Sequence, residues 1–235
     1  MRIYVPPDKI SPGSPVTLDK EKSHYLISVM RCNVGDRITI INGKGKAYDA
    51  EVMSVLKKNV SLMIKSELTI DNESVVDIVL CQSILKGSNM DMVVQKAVEL
   101  GAKKIIPIIS ERCLVKDTRK TSRWNKIAEE AAEQCGRAYI PEVSGPETFE
   151  SFFEKRGNIT GLIFWEQGGA AVRKILSGFS GNELYIFIGP EGGFSADEAL
   201  EAERHGIIKA TLGKRTLRAE TAAIASLSII QDMLE

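Results

Sequence analysis

Two short stretches hold the residues best placed to do chemistry. In Ile188-Gly189-Pro190-Glu191-Gly192-Gly193-Phe194 a single carboxylate stands among glycines. In Leu212-Gly213-Lys214-Arg215-Thr216-Leu217-Arg218-Ala219-Glu220-Thr221 an arginine and a glutamate open a helix. A glycine-rich turn before a helix is a ready phosphate cradle. Here, however, no Lys-Ser/Thr follows and the G-x-G-x-x-G spacing is absent, so neither nucleotide signature applies. Glu191 would also repel a phosphate. A carboxylate in such a loop suits a ligand with positive charge and hydroxyls instead, and S-adenosylmethionine carries a sulfonium, an ammonium and ribose hydroxyls. Arg218 opposes the positive end of the helix it starts. That local cost is understandable if its guanidinium serves a site or a salt bridge.

Composition narrows the chemistry further. The chain of 235 residues has only two histidines, His24 and His205, which argues against a histidine triad or a multi-histidine metal site. His205 precedes Gly206, where it suits the carbonyl end of a helix, and His24 falls in the first turn of a short one. Catalysis must therefore rest on carboxylates, Arg, Lys, hydroxyls or positioning. The cysteines Cys32, Cys81, Cys113 and Cys135 are widely spaced with no C-x-x-C pair, as expected for free thiols in a reducing cytosol. Lys+Arg and Asp+Glu are 31 each, so the net charge is zero and any polyanion must meet a local basic patch. No apolar leader opens the sequence, and no run reaches the ~18 apolar residues of a membrane span. A cytoplasmic protein is expected.

The elements that must position the two stretches read as follows. Residues 1–70 alternate with period two around Asn42-Gly43-Lys44-Gly45, predicting several short strands in a small barrel or sandwich, with one helix over 23–30. Arg31 ends that helix, Lys44 lies in the turn and Lys46 next to it, where they suit phosphates or plain solvent. Asp71-Asn72-Glu73-Ser74 is polar and marks a boundary. Residues 75–235 alternate strand and helix, predicting a parallel sheet covered on both faces. Strands are expected at 75–81, 104–109, 161–165, 184–188 and 207–212, and helices at 122–134 and 219–234. Pro107 cannot donate to a ladder, so its strand should be at an edge or locally irregular. Ser195-Ala196-Asp197-Glu198 reads as a capping box. Each glycine stretch follows an apolar strand and opens a helix, which places both at the carboxyl edge of the sheet, where open α/β folds bind ligands.

The paired glycine stretches resemble the signature of the RsmE family, SPOUT-class enzymes that methylate N3 of a uridine in 16S ribosomal RNA. The likeness extends to Gln95-Lys96-Ala97-Val98-Glu99-Leu100-Gly101 and to Glu130-Ala131-Ala132-Glu133-Gln134-Cys135-Gly136-Arg137, with Cys135 where serine is more usual. It also covers the N-terminal module, from Tyr25 through Arg31 and Gly35-Asp36, which resembles the family's PUA-like barrel. The resemblance implies a PUA-like RNA-binding barrel over 1–70 and a SPOUT α/β domain over 75–235 ending in a deep trefoil knot, where periodicity alone implies an ordinary doubly wound sheet. It implies a homodimer that binds S-adenosylmethionine through Ile188, Gly189, Pro190, Glu191, Gly192, Gly193, Leu212, Gly213, Leu217 and Arg218, and acts on the small subunit's 16S rRNA. Arg218 is the expected catalytic cation, stabilising a uracil anion, with Glu220 either orienting it or structural. Arg31, Lys86, Lys96, Arg112, Gln134 and Arg137, with Arg123 the weakest, are the candidate RNA contacts. A ribose 2′-O-methyltransferase and a non-catalytic RNA-binding module are the rival readings.

Overall fold

Alternating apolar residues in the N-terminal stretch produce strands, and the computed structural model, which describes residues 1–116 and 118–235, shows their arrangement. The strands are β1 (Arg2–Tyr4), β2 (Pro15–Thr17), β3 (Arg37–Ile41), β4 (Ala47–Leu56) and β5 (Asn59–Leu68), with helix α1 (Lys20–His24) between β2 and β3. They form a mixed sheet in the order β1-β3-β4-β5-β2, parallel only between β1 and β3. Period two sends Ile38, Ile40, Ala50, Val52, Val60, Leu62 and Ile64 to one buried face. The helix expected over 23–30 is divided. After α1 a π-turn covers Tyr25–Val29, closed by the Met30 N–H on the Tyr25 carbonyl (3.1 Å). The wide turn keeps Leu26 in the core and leaves Tyr25, Val29 and Met30 exposed, and Arg31 follows in the left-handed region at φ 53°.

The chain forms two compact units, Met1–Glu73 with Ala132–Ile140, and Ser74–Ala131 with Pro141–Glu235. The late segment is tied into the first unit by specific bonds. Glu133 accepts the Tyr4 N–H (2.6 Å) and the Lys22 ammonium (3.1 Å), while Arg137 pairs with Glu73 (2.6 Å).

The second unit runs β6 (Asp77–Ser83), α2 (Asn89–Glu99), β7 (Lys104–Ile109), α3 (Thr121–Cys135, its last turn in the first unit), β8 (Glu142–Val143), β9 (Glu147–Thr148), α4 (Phe149–Arg156), β10 (Gly161–Phe164), β11 (Ala170–Ala171), α5 (Val172–Leu176), β12 (Glu183–Ile188), α6 (Ala196–Arg204), β13 (Ile207–Thr211) and α7 (Ala219–Leu234). All pairings are parallel, in the order β11-β13-β10-β12-β6-β7-β8, with β9 also on β7. The apolar runs of β10, β12 and β6 occupy the middle, as strands covered on both faces must. Pro107 lies where expected: β8 pairs with Lys104 and Ile105, β9 with Ile108 and Ile109, and the proline sits opposite the gap between them. An aromatic cluster of Phe149, Phe152, Phe153, Phe187 and Phe194 fills one face, with ring centroids 5.1–6.0 Å apart. Phe194 immediately follows the first glycine stretch and is fully buried, so its ring anchors that loop to the core, worth roughly 2–3 kcal/mol by area. No helix among the described residues is long and apolar enough to cross a membrane.

Candidate active site

Strand β10 lies between β12 and β13, so the loops leaving the carboxyl ends of these three strands converge. They line one open cavity. Phe164, Trp165 and Glu166 come from β10 and the turn after it, Ile188 to Gly193 from the first glycine loop, Ala210 to Leu217 from the second, and Ala219 and Ala222 from α7. Of the residues expected to hold the cofactor, Ile188, Gly189, Pro190, Glu191, Gly192, Gly193, Leu212, Gly213 and Leu217 stand on this wall. Arg218 does not: it is the exposed N-cap of α7, next to the wall residues Leu217 and Ala219. Sequence reasoning missed Trp165 and Glu166. Their visible signal was the apolar run that ends at them, but only the strand order sets that run between the two loops.

The first loop is held from inside and outside. Its turn closes with the Gly193 N–H on the Pro190 carbonyl (2.9 Å). Gly193 has φ 68°, a left-handed backbone that demands glycine, and the Glu166 carboxylate lies against the space a Cβ would fill (2.6 Å to Oε1). Outside, the Lys86 N–H donates to Glu191 Oε1 (2.9 Å), and Arg112 Nη1 donates to the Gly192 carbonyl (3.0 Å). The expected capping box is present: Ser195 Oγ accepts the Glu198 N–H, and Glu198 Oε2 accepts the Ser195 N–H (2.9 Å). The other oxygen of that buried carboxylate accepts the Glu111 N–H (2.8 Å), pinning α6 to the segment after β7. In the second loop Thr211 Oγ1 accepts the Gly213 N–H (3.2 Å) and donates to the Gly213 carbonyl (3.1 Å).

Charge around the cavity is unevenly satisfied. Lys214, Arg215 and Arg218 are exposed, and their side chains make no hydrogen bond or salt bridge among the described residues. Of the two explanations for an arginine at the start of α7, the salt bridge is thus absent there, and Glu220 makes no bond to it either. Lys86 and Gln134 are exposed. Lys96 pairs with Glu99 on its own helix (2.9 Å), and Arg123 pairs with Asp91 (2.8 Å), which also accepts Trp124 Nε1. Arg31 is exposed in the first unit. Arg137 departs from an exposed phosphate contact: its side chain is 4% exposed and forms a two-pronged bond to Glu73. Burial there makes it a structural cation of the first unit.

An RNA methyltransferase domain family matches residues 72–231, and an RNA methyltransferase PUA domain family matches residues 18–64. The ribosomal RNA small subunit methyltransferase E of Synechocystis is 31% identical, over all of this chain and 78% of that protein. The chain belongs to the RsmE family. Its RsmE relative from Bacillus subtilis is 30% identical over 97% of this chain and 93% of that one. Among solved structures, the RsmE of Neisseria gonorrhoeae, bound to S-adenosyl methionine, is 36% identical with a TM-score of 0.92, covering 99% of this chain and 97% of that one. A Legionella pneumophila protein solved with bound SAM is 37% identical with a TM-score of 0.90, covering 98% and 96%. The PUA match falls within the mixed sheet and the methyltransferase match spans the parallel one, as the resemblance of the N-terminal module and of the glycine loops implied.

Proposed function

We propose that the chain uses S-adenosylmethionine to methylate N3 of a uridine in the 16S rRNA of the small ribosomal subunit, as a cytosolic homodimer. The observation that carries this reading is the cavity shared by the two glycine loops, in a chain whose relatives of 36% and 37% identity were solved with that cofactor. The residues present fit the ligand. The carboxylates of Glu166 and Glu191 on the wall suit ribose hydroxyls and an ammonium while disfavouring phosphate, with one Glu191 oxygen already taken by the Lys86 N–H.

S-adenosylmethionine supplies an activated methyl group, so the protein's work is to align acceptor and donor and exclude water. Arg218, permanently charged, hydrogen-bonds the carbonyl oxygens flanking N3 and stabilises the anion left when N3 loses its proton. Glu220 orients Arg218 once RNA is bound. The target base leaves its stack to reach this edge. Residues 1–70 form the RNA-binding domain and residues 75–235 the methyltransferase domain. Support for RNA contact in the former is the exposed Tyr25, Val29 and Met30 beside Arg31, an aromatic and cationic surface suited to unstacked bases. Gln134 in the first unit, and Lys86 and Lys96 in the second, are further RNA contacts in this reading. Support for a second copy is the apolar character of α7, which leaves Ile229 41% exposed beside partly exposed Ile224 and Ala225. The trefoil knot rests on the family resemblance and on β13, which enters the sheet between β10 and β11 rather than at its edge.

The test is incubation with 16S rRNA or small subunits and labelled donor, followed by nucleoside mass spectrometry. The expected product is 3-methyluridine. A 2′-O-methyl nucleoside would support the ribose reading. Failure to bind S-adenosylmethionine by calorimetry would favour a non-catalytic RNA-binding module.

A further inference from the structure

The first glycine loop has few internal means of holding its shape. Gly189, Gly192 and Gly193 give it no side chains to pack, and its one backbone closure is the Gly193 to Pro190 bond. The buried Phe194 ring fixes its far end and the Gln82 amide reaches the Ile188 and Gly189 carbonyls (3.5 Å each), while its middle, from Glu191 to Gly192, is held by two neighbouring segments. The segment after β6 contributes the Lys86 N–H, which holds Glu191 (2.9 Å). The segment after β7 contributes Arg112, and this contact is the more extensive. Its guanidinium donates to the Gly192 carbonyl (3.0 Å). Its aliphatic stem lies along the same residue, since a Cβ placed on Gly192 would be 3.3 Å from Arg112 Cβ and 3.6 Å from Cδ. The absence of a side chain at Gly192 makes room for that stem. The Gly192 carbonyl is the only hydrogen-bond partner of the Arg112 side chain among the described residues.

We propose that Arg112 is a positioning residue for methyl-donor binding. It fixes the Gly192 peptide, and with it the cavity wall from Gly189 to Gly193, and it does not act as a direct phosphate contact. The proposal rests on the reading of the cavity as an S-adenosylmethionine site. Its physical basis is preorganisation: a loop already held in its bound shape loses less conformational freedom when the ligand arrives. A charge-assisted bond to a carbonyl also suits the task better than a neutral one, because the cation strengthens it. The neighbouring Glu111 N–H, bonded to Glu198 (2.8 Å), holds the base of the same segment against α6, so Arg112 reaches the loop from a fixed platform.

The test uses the full chain with Arg112→Ala and Arg112→Lys. S-adenosylmethionine affinity is measured by calorimetry, RNA affinity by filter binding with a 16S fragment across a salt series, and folding by thermal melting without ligand. The expected result for Arg112→Ala is a Kd for S-adenosylmethionine raised about tenfold, just below the usual loss for a charged hydrogen bond because this one is exposed and acts through the loop. Arg112→Lys, which keeps a stem and an N–H donor, should recover most of that loss. RNA affinity should stay within about twofold and its salt slope should be unchanged, because no phosphate contact is removed. Wild-type cofactor affinity in Arg112→Ala would overturn the proposal. So would a salt slope reduced by about one with cofactor affinity intact, the signature of a lost phosphate contact. If the wild-type chain bound no S-adenosylmethionine, the functional reading itself would fail, and that outcome is distinct from either.

Discussion

At β9 and α4, Glu147 gathers two cations onto one carboxylate. Arg156 reaches both of its oxygens at 2.9 Å, Lys155 adds a contact at 3.2 Å, and the Arg156 guanidinium lies over the Phe152 ring at 4.2 Å. In the second glycine loop, Lys214, Arg215 and Arg218 stand close in sequence with no acidic partner among the described residues. Both segments belong to the same unit and both are rich in basic residues, yet one neutralises its charge internally and the other presents it at a cavity mouth. A net charge of zero is silent about this difference. What matters for a polyanion is which cations remain unmatched, and where.

The comparison breaks most visibly at Arg218. Arg218→Ala should lower the methyl-transfer rate about 10²- to 10³-fold, the loss of roughly 3–4 kcal/mol typical of a donor facing developing negative charge. Cofactor affinity and melting temperature should hardly change, since the side chain is exposed and unpaired. An unchanged rate in single turnover would remove Arg218 from catalysis. At the paired segment the effect should fall on stability instead: Glu147→Gln should cost about 1–2 kcal/mol in urea unfolding and leave the rate intact.

That second effect carries a pH signature. Hydrogen bonding from Arg156, and then from Lys155, holds the Glu147 carboxyl below the usual carboxylate range. A folded-state value below the unfolded ~4.3 means the unfolded chain takes up the proton first as acid is added. The contribution is therefore full above the unfolded value and is lost as pH falls through the folded one. The stability gap between wild type and Glu147→Gln should be constant near neutrality and shrink in acid. A gap undiminished at about pH 2 would show that packing, not charge, is responsible. The smallest effects belong to the loop's outer cations. Lys214→Ala and Arg215→Ala should each weaken RNA binding about three- to tenfold and reduce the salt slope by about one, with stability within ~0.5 kcal/mol. Destabilisation by either change would make the second loop resemble the first segment after all.

Much of this arrangement was legible before the fold was known, and the reasons are local. Helix α7 was expected over 219–234 and spans Ala219–Leu234, because its apolar residues repeat over many turns. The capping box at Ser195 and Glu198 follows from residues three apart, and the irregularity at Pro107 from a missing N–H. Strand order was not legible, since nothing in the runs at β10 and β13 states that they will pair. For the same reason Trp165 and Glu166 went unnoticed beside the glycine loops. Strands of two or three residues, such as β1, β8 and β11, are too short for any period to register. Arg137 reads from sequence as an ordinary basic residue after a helix-ending glycine. Its partner Glu73 lies 64 positions away, and only the packing of residues 132–140 with the first unit brings the two together.

The cavity has one further property, which concerns time rather than space. Every residue on its wall lies between 164 and 222, whereas β6 and β7, which complete the sheet beside β12, come earlier. During synthesis, when domains form as the chain emerges at ~5–20 residues per second, only β6 to β9 precede the wall, and β12, which joins them to β10 and β13, is made with it, so the sheet and the methyl-donor cavity are completed together. Binding is then a late event that draws the finished chain into its native state. A ligand at about a hundred times its Kd adds roughly 2.7 kcal/mol by mass action. For a chain that holds S-adenosylmethionine here, the cell's methyl supply would govern how much enzyme survives as well as how fast it works.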